Sequence, residues 1–153
     1  MDIIKADKNS FELVKMITQT TIKEVYPKYY PMGAVEFFQK HHSDEHIVKD
    51  IEDGKVYLLL DNGENVGTVT VSGNEINRLF VLPNYQHKGY GRAMLDFAEK
   101  IVLETYPCVK MDASLPAKKI YKKRGYKEIE YNTVMTENGD YLCYDVMRLI
   151  NNR

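Results

Sequence analysis

Apolar and polar positions change rhythm partway along this chain. Phe11, Val14, Ile17, Thr18 and Thr21 recur at three- and four-residue intervals, the spacing of one helix face. Asp7-Lys8-Asn9-Ser10 just ahead of them supplies side chains that cap helix starts. This helix should stop by Tyr26, because the ring of Pro27 disfavours helical backbone in the residue before it. A second, less regular helical stretch covers residues 33–42. Ser43 can cap a third over residues 44–53, closed by Gly54. Ahead of all of these, Ile3-Ile4-Lys5 predicts a short strand.

From Lys55 onward the strand signals take over. Residues 56–60 and 66–71 read as strands joined at Asp61-Asn62-Gly63-Glu64, and Ser72-Gly73-Asn74 turns into a third over 76–82, an antiparallel meander that Pro83 ends. Met94, Phe97, Ala98 and Ile101 then mark one face of a helix spanning about 87–105. A strand at 108–113 and a short helix to Arg124, stopped by Gly125, come next. Two final strands, 126–135 and 141–149, meet around the hairpin signal Asn138-Gly139. This order predicts an α+β fold, a mixed sheet with helices on both faces.

The 153 residues suit one domain over 1–153, with no linker, repeat or low-complexity tract. With 44% hydrophobic and 28% charged residues, the composition is that of an ordinary folded domain and excludes a disordered chain. A net charge of −1 gives the molecule no electrostatic reason to seek nucleic acid. No apolar run is long enough for a bilayer, and Met1-Asp2-Ile3-Ile4-Lys5 lacks the layout of a signal peptide, so a cytoplasmic protein without a membrane partner is expected. Cys108 and Cys143, among apolar neighbours and without C-x-x-C, are expected as buried free thiols in a reducing compartment. His41, His42 and His46 lack ligand spacing, so no metal is expected. A homodimer stays open.

The chemistry concentrates at Leu79-Phe80-Val81-Leu82-Pro83-Asn84-Tyr85-Gln86-His87-Lys88-Gly89-Tyr90-Gly91-Arg92. A buried strand ends at a proline, a polar loop follows, and two glycines flank one residue as a helix begins. Such a turn suits an anion: glycines let a ligand approach the backbone, first-turn N–H groups lack intrahelical partners, and the helix dipole is positive there. Lys88 and Arg92 add positive charge. A Walker loop would need Gly-Lys-Ser/Thr where Gly91-Arg92-Ala93 stands. A dinucleotide fingerprint would need a small residue at Met94 and a tighter turn than the stretch from Leu82 to Gly89 allows. A helix start with turn glycines and no ligand is the third reading.

A fourth reading comes from resemblance. Gln86-x-x-Gly89-x-Gly91, preceded by Arg78-Leu79-Phe80-Val81-Leu82-Pro83, closely resembles motif A of the GCN5-related N-acetyltransferase family. The segment from Ser114 to Tyr126, with Ala117, Tyr121 and Gly125, is similar to that family's N-x-x-A-x-x-x-Y-x-x-x-G-F/Y motif. The likeness covers roughly residues 56–149; the first fifty residues match only in being helical. It implies the family's fold, a mostly antiparallel central sheet whose strands before and after the glycine helix splay apart, with acetyl-CoA in the gap. It implies an acetyltransferase moving acetyl to a primary amine by direct attack in a ternary complex. Pantetheine would pair with the backbone of Leu79, Phe80 and Val81. Pyrophosphate would meet the N–H groups of His87, Lys88, Gly89, Tyr90, Gly91 and Arg92, in the loop that Gln86 opens. Ser114 stands where the family usually has an asparagine contacting the cofactor; with Pro116 in the first turn and Gly125 at the end, helix capping is its favoured role. A non-catalytic acyl-CoA sensor on the same fold, and a protein rather than a small amine as acceptor, remain alternatives.

Residues for the acceptor and for proton transfer follow from the charge pattern and aromatic residues read beside that resemblance. From Lys110 to Lys127, seven Lys or Arg residues face one acid, Asp112, either a solvated face or a patch that greets the nucleotide end of CoA. Between Glu36 and Glu64 acids prevail, which favours a small cationic amine as acceptor. Tyr26, Tyr29, Tyr30, Phe37, Phe38, His41 and His42 are candidates for its pocket, since aromatic rings attract cations, though the same residues could be plain core. Glu75, at the start of the strand leading into motif A, is the candidate general base, against the plainer reading of an exposed strand end. Tyr121 is the candidate general acid at the leaving thiolate, and is also counted among the cofactor's contacts.

Overall fold

The computed structural model describes residues 1–151. Within them seven strands form one sheet in the order β1-β2-β3-β4-β5-β7-β6. They are β1 (Asp2–Lys5), β2 (Val56–Asp61), β3 (Glu64–Ser72), β4 (Glu75–Val81), β5 (Cys108–Ala113), β6 (Lys127–Met135) and β7 (Tyr141–Ile150). The helices are α1 (Phe11–Val25), α2 (Met32–His41), α3 (Asp44–Glu52), α4 (Tyr90–Thr105) and α5 (Leu115–Lys123). All neighbouring strands are antiparallel except β4 and β5. The order matches the hydrophobic pattern, including the meander and the final hairpin, and the sheet is mixed with helices on both faces.

One boundary moves for a reason that matters to the site. The apolar period suggests a helix from about His87, but α4 starts at Tyr90. Gly89 caps it in the left-handed region at φ 88°, and His87 is left-handed too, at φ 62°. His87 and Lys88 therefore lie in a loop ahead of the helix. Tyr26 likewise leaves α1 and enters a short 3-10 turn, Tyr26–Lys28, where Pro27 takes an early position that needs no N–H.

Two apolar cores sandwich the sheet. On one face Met94, Leu95, Ala98 and Val102 of α4 pack with Val69, Val109, Met111 and Tyr121. On the other, Val14, Ile17 and Ile22 of α1, Ala34 of α2 and Ile47 of α3 pack with Leu58 and Phe80. β3 is buried on both sides, as a central strand must be, and its inner threonines Thr68 and Thr70 bond to the Tyr57 carbonyl and the Arg78 guanidinium.

Two irregularities open the sheet. β4 and β5 pair in register only at Glu75 and Lys110, supported by the Lys110 N–H donating to the Asn74 carbonyl at 2.9 Å. Beyond that joint the two strands diverge, the splay that the resemblance implied. Within β4, Thr68 faces Phe80 and Thr70 faces Asn77, so Arg78 and Leu79 together oppose Val69. This is a β-bulge, with Arg78 left-handed at φ 47°. The Arg78 side chain turns into the core and donates to Asp50 (2.9 Å), Thr70 (3.2 Å) and His42 (3.3 Å). No described helix is long and apolar enough to cross a membrane. Cys108 and Cys143 are free, and half-buried rather than buried.

Candidate active site

The splay holds a cavity of about 310 Å³. Its walls are Leu79, Phe80 and Val81 of β4, the loop and helix start at Gln86, His87, Tyr90, Gly91 and Arg92, Ser114 at the end of β5, and Ala117 and Tyr121 of α5. Tyr26 and Tyr29 close it from the turn after α1. Most of the cofactor set expected from the sequence is thus brought to one space. Lys88 and Gly89 are the exceptions. Gly89 is required by its backbone angle, and a Cβ there would touch nothing within 4 Å; at Gly91 a Cβ would project toward Val81, 3.9 Å from its Cγ2. The Lys88 ammonium sits over the Tyr85 ring, 5.3 Å from its centroid.

The glycine turn presents donors. The first hydrogen bond of α4 is the Ala93 N–H to the Gly89 carbonyl at 3.0 Å, so the N–H groups of Tyr90, Gly91 and Arg92 have no backbone acceptor among the described residues. The Gln86 amide ties the loop back to the end of β4 by donating to the Val81 carbonyl at 3.0 Å. The hydroxyls of Tyr85 and Tyr90 donate to Glu64, the first residue of β3, and Asp61, the last of β2. Residue types at 86, 89 and 91 signalled this turn; Tyr85, Asp61 and Glu64 were not foreseen, because their partners come from another hairpin.

At α5 the expected cap is overturned. Ser114 occupies the N-cap position, yet its side chain makes no capping bond. Pro116 has no N–H to offer, and the N–H groups of Ala117 (3.1 Å) and Lys118 (2.9 Å) already donate to the Ser114 carbonyl. The remaining donor, the Leu115 N–H, is taken at 2.6 Å by the Tyr30 hydroxyl. Ser114 lines the cavity together with Tyr26. Tyr121 is buried, with no hydrogen-bond partner for its hydroxyl among the described residues; burial, then the nearby Glu99 carboxylate, pushes its pKa up to about 12. Burial also holds the Tyr26 phenol well above the ordinary tyrosine range, with Ser114 opposing.

The aromatic set divides. Tyr26 and the half-exposed Tyr29 reach the cavity. Phe38 and Tyr30 pack as core around Tyr26, with ring centroids at 4.7 Å and 5.6 Å. His42 is withdrawn as well. Burial first and Arg78 second lower its pKa to about 3, and the neutral ring accepts from the Arg78 guanidinium. Phe37 lines a separate, smaller hollow of about 220 Å³ with Lys40 and Glu137, and His41 stacks on it at 6.1 Å. Ring packing around Tyr26 takes up Phe38 and Tyr30, and Arg78 takes up His42, contacts that spacing alone could not reveal.

Glu75 does not line the cavity. It is exposed at the joint of β4 and β5, near Asp112, whose carboxyl is held above its usual range by burial first and Glu75 second. The basic run is partly neutralised by acids from elsewhere: Arg124 pairs with Glu99 (2.6 Å) and Asp96, Lys118 with Asp145 (2.7 Å), Lys122 with Glu128 (2.9 Å). Among the described residues, no three His, Cys, Asp or Glu side chains are grouped to hold a metal.

Comparison with known proteins agrees with this geometry. An uncharacterised N-acetyltransferase from Halalkalibacterium halodurans is 23% identical over 137 residues, covering 80% of this chain and 79% of that one. The crystal structure of a GCN5-related N-acetyltransferase from Rhodopseudomonas palustris superposes with a TM-score of 0.87 at 23% identity, over 98% of this chain and 95% of the other. PaiA N-acetyltransferase from Thermoplasma acidophilum, solved in complex with coenzyme A, gives 0.71 at 18% identity over 98% of both chains. The family model described as the acetyltransferase (GNAT) domain matches residues 25–139, well over half of the sequence. The chain belongs to the GNAT acetyltransferase family, and is an acetyl-CoA-dependent N-acetyltransferase.

Proposed function

We propose that this enzyme acetylates a small cationic amine, with acetyl-CoA in the cavity between the splayed strands. The observation that carries this reading is the pairing of free N–H donors at Tyr90, Gly91 and Arg92 with a cavity that Tyr121 also lines. The donors suit the pyrophosphate of CoA, and the bulged backbone of β4 at Leu79, Phe80 and Val81 suits its pantetheine amides. Ser114 and Tyr26 offer hydroxyls on the opposite wall. That the Thermoplasma neighbour of the same fold was solved in complex with coenzyme A supports coenzyme A as the ligand.

Acetyl-CoA supplies an activated acetyl group as a thioester. Transfer joins the acceptor nitrogen to the acetyl carbon and breaks the carbon–sulfur bond. An ammonium acceptor must surrender two protons, one before attack and one to the departing sulfur or solvent. At neutral pH only about one amine in a few thousand is unprotonated, given a pKa near ~10.4, so a base is needed. Glu75 and Asp112 sit together at the joint from which the two strands splay, outside the cavity lining, and Glu75 is the proposed base. Tyr121 holds its proton where the sulfur would leave. Tyr29, half exposed at the cavity, offers a ring to the acceptor.

The test is release of CoA thiol from acetyl-CoA with polyamines, amino acids, aminoglycosides and a lysine peptide, each supplied separately. Turnover with a small amine and not with the peptide supports the reading. Turnover with the peptide alone assigns a protein acceptor.

A further inference from the structure

α5 carries Tyr121, and it is held at both ends by different halves of the protein. At its C-terminal end, Arg124 bonds Glu99 of α4 at 2.7 Å and 2.6 Å, and the Tyr126 hydroxyl donates to the same carboxylate at 2.8 Å. That ties α5 to the helix whose first turn is the anion site. At its N-terminal end the tie crosses the splay: the Tyr30 hydroxyl, 85 positions away in sequence, accepts the Leu115 N–H at 2.6 Å.

This second tie cannot be replaced locally. Pro116 has no N–H, and the Ala117 and Lys118 N–H groups are committed to the Ser114 carbonyl. The Leu115 N–H is the one first-turn donor left to fix the helix start, and Ser114 does not take it. Tyr30 is itself fixed, 6% exposed and packed on Tyr26 and Phe38 at ring-centroid distances of 5.6 Å and 5.1 Å. The anchor is therefore rigid on one side and specific on the other, whereas the sheet beneath it is unzipped.

We propose that Tyr30 is a positioning residue for the transfer: by taking the Leu115 N–H across the splay it sets where α5 stands, and with α5 the hydroxyl of Tyr121. The proposal rests on the reading of Tyr121 as the group at the leaving sulfur. Tyr30 touches neither substrate. Its loss acts on kcat through Tyr121, while the phosphate donors on α4 are left in place.

Two variants cut the same bond from opposite sides. Tyr30→Phe removes the acceptor and keeps the ring. Leu115→Pro removes the donor at the first helical position, where proline is well tolerated, and Ser114 at φ −70°, ψ 157° already has the backbone a following proline requires. Should one of them fold poorly, the other still reads the bond. Each should lower kcat by roughly tenfold to a hundredfold, the cost of misplacing a reacting group by about an ångström. The decisive measurement is a cycle with Tyr121→Phe: if Tyr30 works through Tyr121, either cut changes kcat by less than about twofold in that background. A cut that lowers kcat equally with and without the Tyr121 hydroxyl overturns the proposal, as does a cut that leaves the parent kcat intact. If Tyr121→Phe alone leaves kcat unchanged, the reading of Tyr121 fails and the proposal falls with it, a result distinct from equal losses in both backgrounds.

Discussion

Arg78 and Asp50 meet at 2.9 Å beneath the β4 bulge, with the Arg78 side chain 5% exposed and that of Asp50 25% exposed. The pair joins α3 to the strand whose next residues, Leu79 to Val81, wall the cavity. A buried guanidinium is tolerable only while its charge is matched. Asp50→Ala should therefore cost about 3 kcal/mol in urea unfolding, the low end for an orphaned buried charge because Asp50 retains some solvent. The double variant Asp50→Leu with Arg78→Met removes both charges and should recover most of that loss. A double variant as unstable as Asp50→Ala would show that the bulge itself, rather than the unmatched charge, was lost.

His42 makes stability depend on pH. Its ring is neutral in the folded protein down to about pH 3 and ordinarily protonates near pH 6.5 when unfolded. Between those values the unfolded chain binds more protons, so stability is full above about pH 6.5 and falls as pH drops toward 3, by at most about 1.4 kcal/mol per pH unit. His42→Asn keeps an acceptor for Arg78 without titrating. Its unfolding free energy should be flatter than the parent's between pH 6 and 4, and parallel curves would exclude His42 as the source.

Gly91→Val tests the anion turn. A side chain here starts from the first turn beside Val81, at the cavity wall, while φ at Gly91 needs no glycine. The fold should survive, and calorimetry should find coenzyme A binding weakened by about tenfold or more, from lost backbone approach. Gly89→Val is a poorer probe, because φ 88° strains any side chain whether or not a phosphate binds.

Thr18 shows the opposite economy. It is fully buried in α1, and its hydroxyl lacks a hydrogen-bond partner among the described residues. Thr18→Val keeps the shape and discards the unpaired group, so it should stabilise by about 1 kcal/mol, or about 2–4 °C in Tm for a chain of this size. Thr21→Val one turn later is the control. Its hydroxyl bonds the Ile17 carbonyl at 2.7 Å, so the same change should destabilise.

How much of this was legible in the sequence depends on range. The face of α1 and the Gln86 to Arg92 turn are local patterns, and local patterns declare themselves through periodicity and glycine placement. The partner of Arg78 lies 28 positions away and that of Tyr30 lies 85 away. Nothing near Asp50 or Leu115 marks either as a partner. The adjacent tyrosines Tyr29 and Tyr30 make the limit plain, since one is 50% exposed at the cavity and the other 6% exposed in the core. The backbone of a 3-10 turn, absent from the hydrophobic pattern, sorts them.

Tyr121 sets the last prediction. Its phenol, at a pKa of about 12, keeps its proton across any working pH. Giving that proton outright to a thiolate whose thiol has a pKa near ~8.5 is uphill. Its better role is to donate a strong hydrogen bond to sulfur as charge develops, while the proton that finally reaches sulfur comes from the acceptor nitrogen. Tyr121→Phe removes only the hydroxyl from a ring packed against Tyr126 at 5.6 Å, so fold and acetyl-CoA affinity should hold. The loss in kcat should be near ~10²-fold, the low end for such a group, because thiolate is a tolerable leaving group. The pH–rate profile should keep its shape, since a phenol this weakly acidic does not titrate where the enzyme works. A variant within about twofold of the parent would mean that water or another residue meets the sulfur.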